Sequence, residues 1–253
     1  MLAAASSVHV VRWANAFVQH GHEVHLASQH PAANGLSDQI VMHPLPHFRG
    51  AGYLLNGGRL KRLVVEIRPD VVNVHYASGY GTLSRAVHGP PLVLNVWGSD
   101  VFEFPDKSWF HRIWLIDNLR KADQLVSTSR FMARRTAALA QRLPAVKVVP
   151  FGVDTVVFHP PEGPKRNGPL VIGTVKTLAS KYGIDTLIQA FALLVHRLRG
   201  MELRLRIVGG GPQERELKRL ALRHGIVELV EFTGPVPHSQ VPDRLREMDV
   251  FAA

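Results

Sequence analysis

Apolar and polar positions along this chain alternate between two periods. At 170–175, Leu170, Val171, Ile172, Gly173, Thr174 and Val175 form a short, mostly apolar run between Pro169 and Lys176. Such a run predicts a buried strand of a parallel sheet. The period then changes. Ile184, Leu187, Ile188, Phe191, Leu194, Val195 and Leu198 recur at three- and four-residue steps, which predicts an amphipathic helix over 184–198. The same alternation runs through the whole sequence. Strands are predicted at 2–5, 23–28, 40–44, 71–75, 92–96, 124–128 and 146–150, and helices at 8–20 and, basic and amphipathic, at 54–67. After 169 the pattern restarts, with strands at 170–175, 203–208, 228–232 and 249–253 and helices at 184–198, 212–224 and 239–247. Strands alternating with helices imply α/β architecture, a doubly wound parallel sheet with helices on both faces.

Between the two series lies 159–169, with four prolines and no periodicity. It reads as a linker. The expected organisation is a first domain at 1–158, the linker at 159–169 and a second domain at 170–253. The second is shorter than a six-stranded doubly wound domain, and the last predicted strand has no element after it. The expectation is therefore an incomplete second domain in a fragment or truncated chain.

Composition narrows the function classes. The 253 residues are 46% hydrophobic, yet no apolar run approaches the roughly 20 residues that span a bilayer. No basic segment followed by a long apolar core opens the chain, so no secretory signal is expected. There are no cysteines. Disulfides, thiolate metal sites and a cysteine nucleophile are excluded, and a cytoplasmic setting fits. The formal charge is +10, which attracts phosphorylated substrates or an anionic membrane surface. The basic residues are spread over helices with no long basic tail, so no specific nucleic-acid partner is expected. A merely solvated, arginine-rich surface is the structural alternative.

In open parallel sheets ligands bind beyond the C-terminal strand ends. Those ends carry Ser6 and Ser7, His75, the Trp97-Gly98-Ser99-Asp100 turn, Gly152 and Asp154. In the second series they carry Lys176, Lys181, the triple glycine Gly209, Gly210, Gly211, and Gly234. Lys176 and Lys181 lie between a strand end and a helix start, where free N–H groups and the helix dipole favour an anion. A diphosphate suits that place; two solvated lysines are the alternative. If both sets of strand ends faced one cleft, these residues would form one site. Ser6 and Ser7 also suit simple N-capping, His75 a structural histidine, and Asp100 a cap on the following segment. The triple glycine lacks the third glycine of a G-x-G-x-x-G fingerprint, and no P-loop, nucleophile elbow or H-E-x-x-H motif occurs. No Asp-x-Asp pair is present and the histidines are scattered, so no metal and no cofactor are expected.

Four stretches, in order, resemble the GT-B glycosyltransferases of family 4, the retaining group also called glycosyl transferases group 1. The first runs from Ala5-Ser6-Ser7-Val8-His9 through Arg12-Trp13-Ala14-Asn15-Ala16 to Gly21-His22-Glu23-Val24. The second is Arg68-Pro69-Asp70-Val71-Val72 with His75, then Val96-Trp97-Gly98-Ser99-Asp100-Val101. The third is Val149-Pro150-Phe151-Gly152-Val153-Asp154 with Phe158 and Pro160. The fourth is Gly173 to Gly183, then Ile207-Val208-Gly209-Gly210-Gly211-Pro212 and Phe232-Thr233-Gly234. The resemblance covers essentially the whole chain. It implies two Rossmann-like domains, with the acceptor held mainly by the first and the nucleotide-sugar donor by the second.

By that resemblance Lys176 and Lys181 match the family's basic pair on the donor diphosphate, with lysine where arginine is usual; lysine keeps the charge and loses the bidentate fork. Ser6 and Ser7 match the loop that approaches the donor phosphates. Gly209, Gly210, Gly211, Gly234, Pro235 and Val236 match loops near the nucleotide. Two departures stand out. Trp97 occupies a position where many members have a sugar-contacting histidine, and the family's Glu-x7-Glu segment does not occur.

The implied function is transfer of a sugar, with retention, from a UDP- or GDP-linked donor to a glycan or lipid-linked acceptor in polysaccharide, lipopolysaccharide or glycolipid synthesis. Lys176, Lys181, Asp100 and His75 are the candidate catalytic residues. The expected place is cytoplasmic, peripheral at the inner face of the membrane. A sugar-nucleotide epimerase on the same fold and a non-catalytic basic binding fragment are the rival readings.

Overall fold

A computed structural model describes residues 1–163 and 168–253. The middle of the expected linker, 164–167, lies outside the described residues. The chain divides into two compact units, Met1–Gly152 and Val153–Ala253. Residues just after the division are tied to the second unit. The Arg246 guanidinium donates to the Val157 carbonyl (3.1 Å), and Phe158 packs edge-on against His238.

The first unit contains, in chain order, α1 (Val8–Gln19), β1 (His25–Ser28), β2 (Val41–Pro44), α2 (Gly52–Leu55), α3 (Gly57–Ile67), β3 (Val72–His75), α4 (Tyr80–Leu83), β4 (Leu92–Val96), α5 (Ser99–Phe102), α6 (Trp109–Arg120), β5 (Gln124–Ser127), α7 (Arg130–Ala137) and β6 (Val146–Val148). β1 pairs with β2, and β3, β4, β5 and β6 pair in that order, all parallel. One residue joins the two groups. Leu2 makes parallel bridges to Ala27 and to Val74. The expected first strand at 2–5 is thus reduced to a bridge. The reason is local: the Ala5 N–H is taken by the Ser28 hydroxyl (3.0 Å), and Ser7 N–H bonds the Ala4 carbonyl (2.9 Å), so the backbone turns into α1. Burial drives the assembly. Leu2, Val74, Leu94, Val96, Leu115, Leu119 and Leu125 are all buried in one cluster, each contributing about 1.5–3 kcal/mol by leaving water.

The second unit contains β7 (Leu170–Val175), α8 (Ile184–Arg197), β8 (Leu203–Val208), α9 (Glu214–Arg223), β9 (Val230–Gly234), α10 (Val241–Arg246) and β10 (Val250–Phe251). Its strands are parallel in the order β10-β7-β8-β9. Both units therefore have the predicted α/β, parallel-sheet architecture. β9 starts two residues later than its apolar pattern suggests. Residues Val227–Leu229 form a 3-10 turn, closed by Leu229 N–H on the Ile226 carbonyl, before the strand begins. Likewise α9 starts at Glu214 and not at Pro212, because Gln213 N–H bonds the Leu178 carbonyl (3.0 Å) across the sheet edge.

Candidate functional site

The sequence-predicted residues fall into two groups, one at each unit's C-terminal sheet edge.

In the second unit, β7 delivers Lys176 and α8 begins after Gly183, whose φ of +63° makes the turn into the helix. Between them Ser180–Tyr182 forms one 3-10 turn. That turn presents Lys181 to the same ring that Lys176 approaches. The Lys176 ammonium lies 5.9 Å and the Lys181 ammonium 5.4 Å from the centroid of the Tyr182 ring. Each is within range of the ring's negative face. No side chain caps the N-terminus of α8, although Asp185 in its first turn also lies where the dipole favours negative charge. Sequence reasoning passed over Tyr182. Its position next to Lys181, in a loop already marked by two lysines, was the signal that could have found it.

The triple glycine has a structural account. Gly209 has φ +141°, and a Cβ there would lie 1.9 Å from the Lys176 carbonyl oxygen. A Cβ at Gly211 would lie 2.5 Å from the Leu178 carbonyl oxygen. Leu178 N–H donates to the Gly210 carbonyl (3.0 Å), and Gly209 N–H donates to the Gly234 carbonyl (2.9 Å). Gly209 and Gly211 thus let the loop after β8 lie directly against the loop after β7. Gly210 is less constrained: its nearest neighbour is Pro235, at 3.3 Å from a built Cβ. Pro235 is exposed and Gly234 and Val236 are half-buried.

In the first unit, Ser7 occupies the N-cap position of α1, but its hydroxyl makes no capping bond. Ser6 is exposed beside it. The end of α1 is therefore not closed by its own serines.

Asp100 is buried and wholly engaged with backbone. One carboxylate oxygen accepts from Gly98 N–H (2.8 Å) and Trp97 N–H (3.0 Å); the other accepts from Ala77 N–H (2.8 Å) and again from Trp97 (3.2 Å). Burial pushes its carboxyl pKa up, and these backbone bonds oppose the rise. The cap on the following segment, the structural alternative for Asp100, is not what these bonds make: the N-cap of α5 is Gly98, and Asp100 lies in the helix's first turn. Asp100 fastens the turn after β4 to the turn after β3.

His75 is buried at the end of β3, and neither ring nitrogen has a hydrogen-bond partner. Burial, with a smaller contribution from the chain's amino terminus, pushes its pKa down to about 3. It stays neutral. Its ring meets Trp13 at 5.7 Å and Trp97 at 5.5 Å, both edge-on. Trp97 in turn meets Phe151 at 5.2 Å and His9 at 5.8 Å, while His9 stacks on Phe151 at 4.1 Å. Trp97 thus sits in the middle of an aromatic cluster, with its indole N–H buried and unpartnered. His9 and Phe151 lie far apart in sequence, so no motif spacing pointed to their stack. Among the described residues no group of three or more His, Asp or Glu is placed to hold a metal.

Residues 1–129 match the family described as Glycosyl transferase 4-like, and residues 158–253 match Glycosyl transferases group 1. A GDP-mannose-dependent alpha-(1-6)-phosphatidylinositol monomannoside mannosyltransferase of Mycolicibacterium smegmatis is 30% identical over 212 residues, covering 77% of this chain and 53% of its own length. The putative colanic acid biosynthesis glycosyltransferase WcaL of Escherichia coli is 31% identical over 132 residues, 52% of this chain and 32% of its own. The chain thus spans about half the length, or less, of the curated relatives it matches. Among solved structures, sucrose-phosphate synthase from Thermosynechococcus elongatus superposes with a TM-score of 0.78 at 14% identity, over 99% of this chain and 73% of that one. Anabaena HepE in complex with UDP and glucose gives 0.71 at 16% identity, over 99% and 72%. At such identities these likenesses establish the fold alone.

Proposed function

The chain belongs to the glycosyl transferase 4-like family, and from that premise we propose that it moves a sugar from a nucleoside-diphosphate donor to an acceptor hydroxyl with retention at the anomeric carbon. The observation that carries this reading is the pair of ammonium groups, Lys176 and Lys181, held on either side of the strand-to-helix turn and both over Tyr182. The bond from the anomeric carbon to the donor phosphate breaks as a new one forms to the acceptor oxygen. Negative charge grows on the departing diphosphate. Two cations beside an uncapped helix start stabilise charge that develops there. The acceptor's proton passes to the leaving phosphate, giving a glycoside and a nucleoside diphosphate.

The relatives support the donor class. The mycobacterial relative is named for GDP-mannose and a phosphatidylinositol mannoside, and HepE holds UDP and glucose. The reading here is a UDP- or GDP-linked donor and a glycan or lipid-linked acceptor, used in polysaccharide, lipopolysaccharide or glycolipid synthesis at the cytoplasmic face of a membrane. In the first unit, Asp100 acts by fixing the Trp97 turn. His75 keeps two unpartnered ring nitrogens, the hydrogen-bonding capacity that a sugar or acceptor hydroxyl would use.

The test is calorimetric titration of the chain with UDP, GDP, UMP and GMP, followed by transfer assays with a labelled donor. A diphosphate should bind at least about tenfold more tightly than the matching monophosphate. Lys181→Ala should remove that preference. Equal affinity for mono- and diphosphates in the wild type would refute the phosphate role. Turnover of donor sugar to its epimer without any acceptor would favour the epimerase instead.

A further inference from the structure

Helix α8 carries a second stripe beside its buried one. Gln189, Ala192, Leu193 and His196 stand at i, i+3, i+4 and i+7, on one side of the helix. With Val195, and with His224, Gly225 and Ile226 just after α9, they line a groove of about 480 Å3. Ala192 and Gly225 are the small residues that leave it open, and a Cβ built at Gly225 meets nothing within 4 Å. Gly225, at φ +66°, turns the chain out of α9, and Ile226 N–H closes that turn on the Ala221 carbonyl (3.1 Å). Leu193 is 62% exposed, and Leu222 in the last turn of α9 is 64% exposed. The outward side of a helix packed on a sheet is normally polar. A concave apolar surface here marks a contact site.

The groove lies apart from the lysine pair. α8 opens three residues after Lys181 and rises about 1.5 Å per residue, which puts His196 about 18 Å along the helix from Ile184. The charge around the groove says what fills it. None of the described residues that line it is acidic. Residues 186–201 carry Arg197 and Arg199, residues 217–227 carry Lys218, Arg219 and Arg223, and neither stretch holds an Asp or Glu. Lys218 is paired with Glu214 (2.7 Å), and the four arginines are exposed. A second copy docking here would set cations against cations. A flat lipid surface would meet the rim and leave the groove unfilled. An amphipathic helix with acidic flanks meets both features. Its apolar side chains, repeating at the same helical steps, enter the groove, and its carboxylates reach the arginines.

We propose that the groove between α8 and the end of α9 docks an acidic amphipathic helix of a partner protein. This goes beyond the sugar-transfer reading and does not depend on it.

The experiment measures fluorescence anisotropy of labelled synthetic peptides titrated with the chain. One peptide places leucines at i, i+3, i+4 and i+7 with glutamates on the flanks. A second has the same residues scrambled so that the leucines share no face. A third has lysine for every glutamate. The first should bind at least about tenfold more tightly than either of the others, and should weaken as salt rises. Leu193→Glu, which puts a like charge on the groove wall, should lower that affinity at least about tenfold, and Leu193→Met should leave it near the wild type's. Arg197→Glu with Arg223→Glu should weaken binding with the apolar residues untouched, and decides the matter if circular dichroism shows Leu193→Glu unfolded. Equal affinity for the first and scrambled peptides, or equal affinity of wild type and variants, overturns the proposal. So does a wild-type dimer that Leu193→Glu dissociates, which would assign the groove to a second copy. Binding to phosphatidylglycerol vesicles that Leu193→Glu abolishes would assign it to lipid and overturn the proposal too. Titration with UDP and GDP keeps the two readings apart. A chain that binds the peptide and no diphosphate sinks the transfer reading alone, and one that binds a diphosphate and shows no peptide preference sinks the docking alone.

Discussion

The ammonium groups of Lys176 and Lys181 converge on one ring, Tyr182, at 5.9 and 5.4 Å. Five residues apart, they are brought together by the 3-10 turn Ser180–Tyr182. The ring orients the cations and adds little charge of its own. Lys176→Ala and Lys181→Ala should each weaken UDP or GDP binding by about tenfold to a hundredfold, the range for losing a charged hydrogen bond. Tyr182→Leu should cost only about two- to fivefold. Calorimetry on the three variants checks the order; a Tyr182 effect as large as the lysine effects would make the ring itself a ligand contact.

Asp100 holds three backbone N–H groups with two oxygens. Asparagine offers one oxygen and turns an NH2 group toward a donor. Asp100→Asn should therefore cost about 2–3 kcal/mol of stability, read as a lower urea midpoint with an unchanged slope. If transfer activity fell while stability did not, Asp100 would be acting on substrate and not as an anchor.

His75 provides a pH signature. Its folded pKa, about 3, lies below the usual 6.5. Between those values the unfolded chain takes up a proton that the folded chain refuses. The contribution is fully present above about pH 6.5 and is lost at about 1.4 kcal/mol per pH unit as pH falls toward 3. Urea unfolding at pH 7 and pH 5 should show the wild type losing more stability than His75→Phe does. Parallel losses in the two proteins would place a proton or a partner on His75 in the folded state.

The glycines after β8 separate by position. Gly209→Ala forces a Cβ onto the Lys176 carbonyl at a positive φ and should cost more than about 3 kcal/mol. Gly210→Ala meets only Pro235 and should cost less than about 1 kcal/mol. Thermal melts measure both. Any loss of nucleotide affinity in a stable Gly210→Ala chain then reports a ligand contact at that loop.

Much of the architecture is written in local periodicity. The strands β4, β7 and β8 have the bounds the sequence pattern predicts: β4 and β7 are mostly apolar runs, and β8 alternates buried Leu203 and Leu205 with Arg204 and Arg206 before Ile207 and Val208, and either pattern marks a strand. The amphipathic stripe of α8 was equally legible, since its buried face, Ile184, Ile188 and Phe191, repeats at helical steps. The two lysines at the strand end were visible for the same reason: a strand followed by a helix has a known polarity.

What pattern does not carry is where a backbone group finds its partner. Ala5 N–H turning to Ser28, Gln213 N–H reaching Leu178, and three N–H groups meeting on Asp100 are choices between residues 2 to 35 positions apart. The same holds for the aromatic cluster of His9, His75, Trp97 and Phe151. Sequence alone therefore determined the alternation of strands and helices and the sign of charge at the β7 end. The tertiary structure decided which polar groups are spent on holding loops and which stay available, because hydrogen bonds and ring contacts are settled by distance in space and not by spacing along the chain.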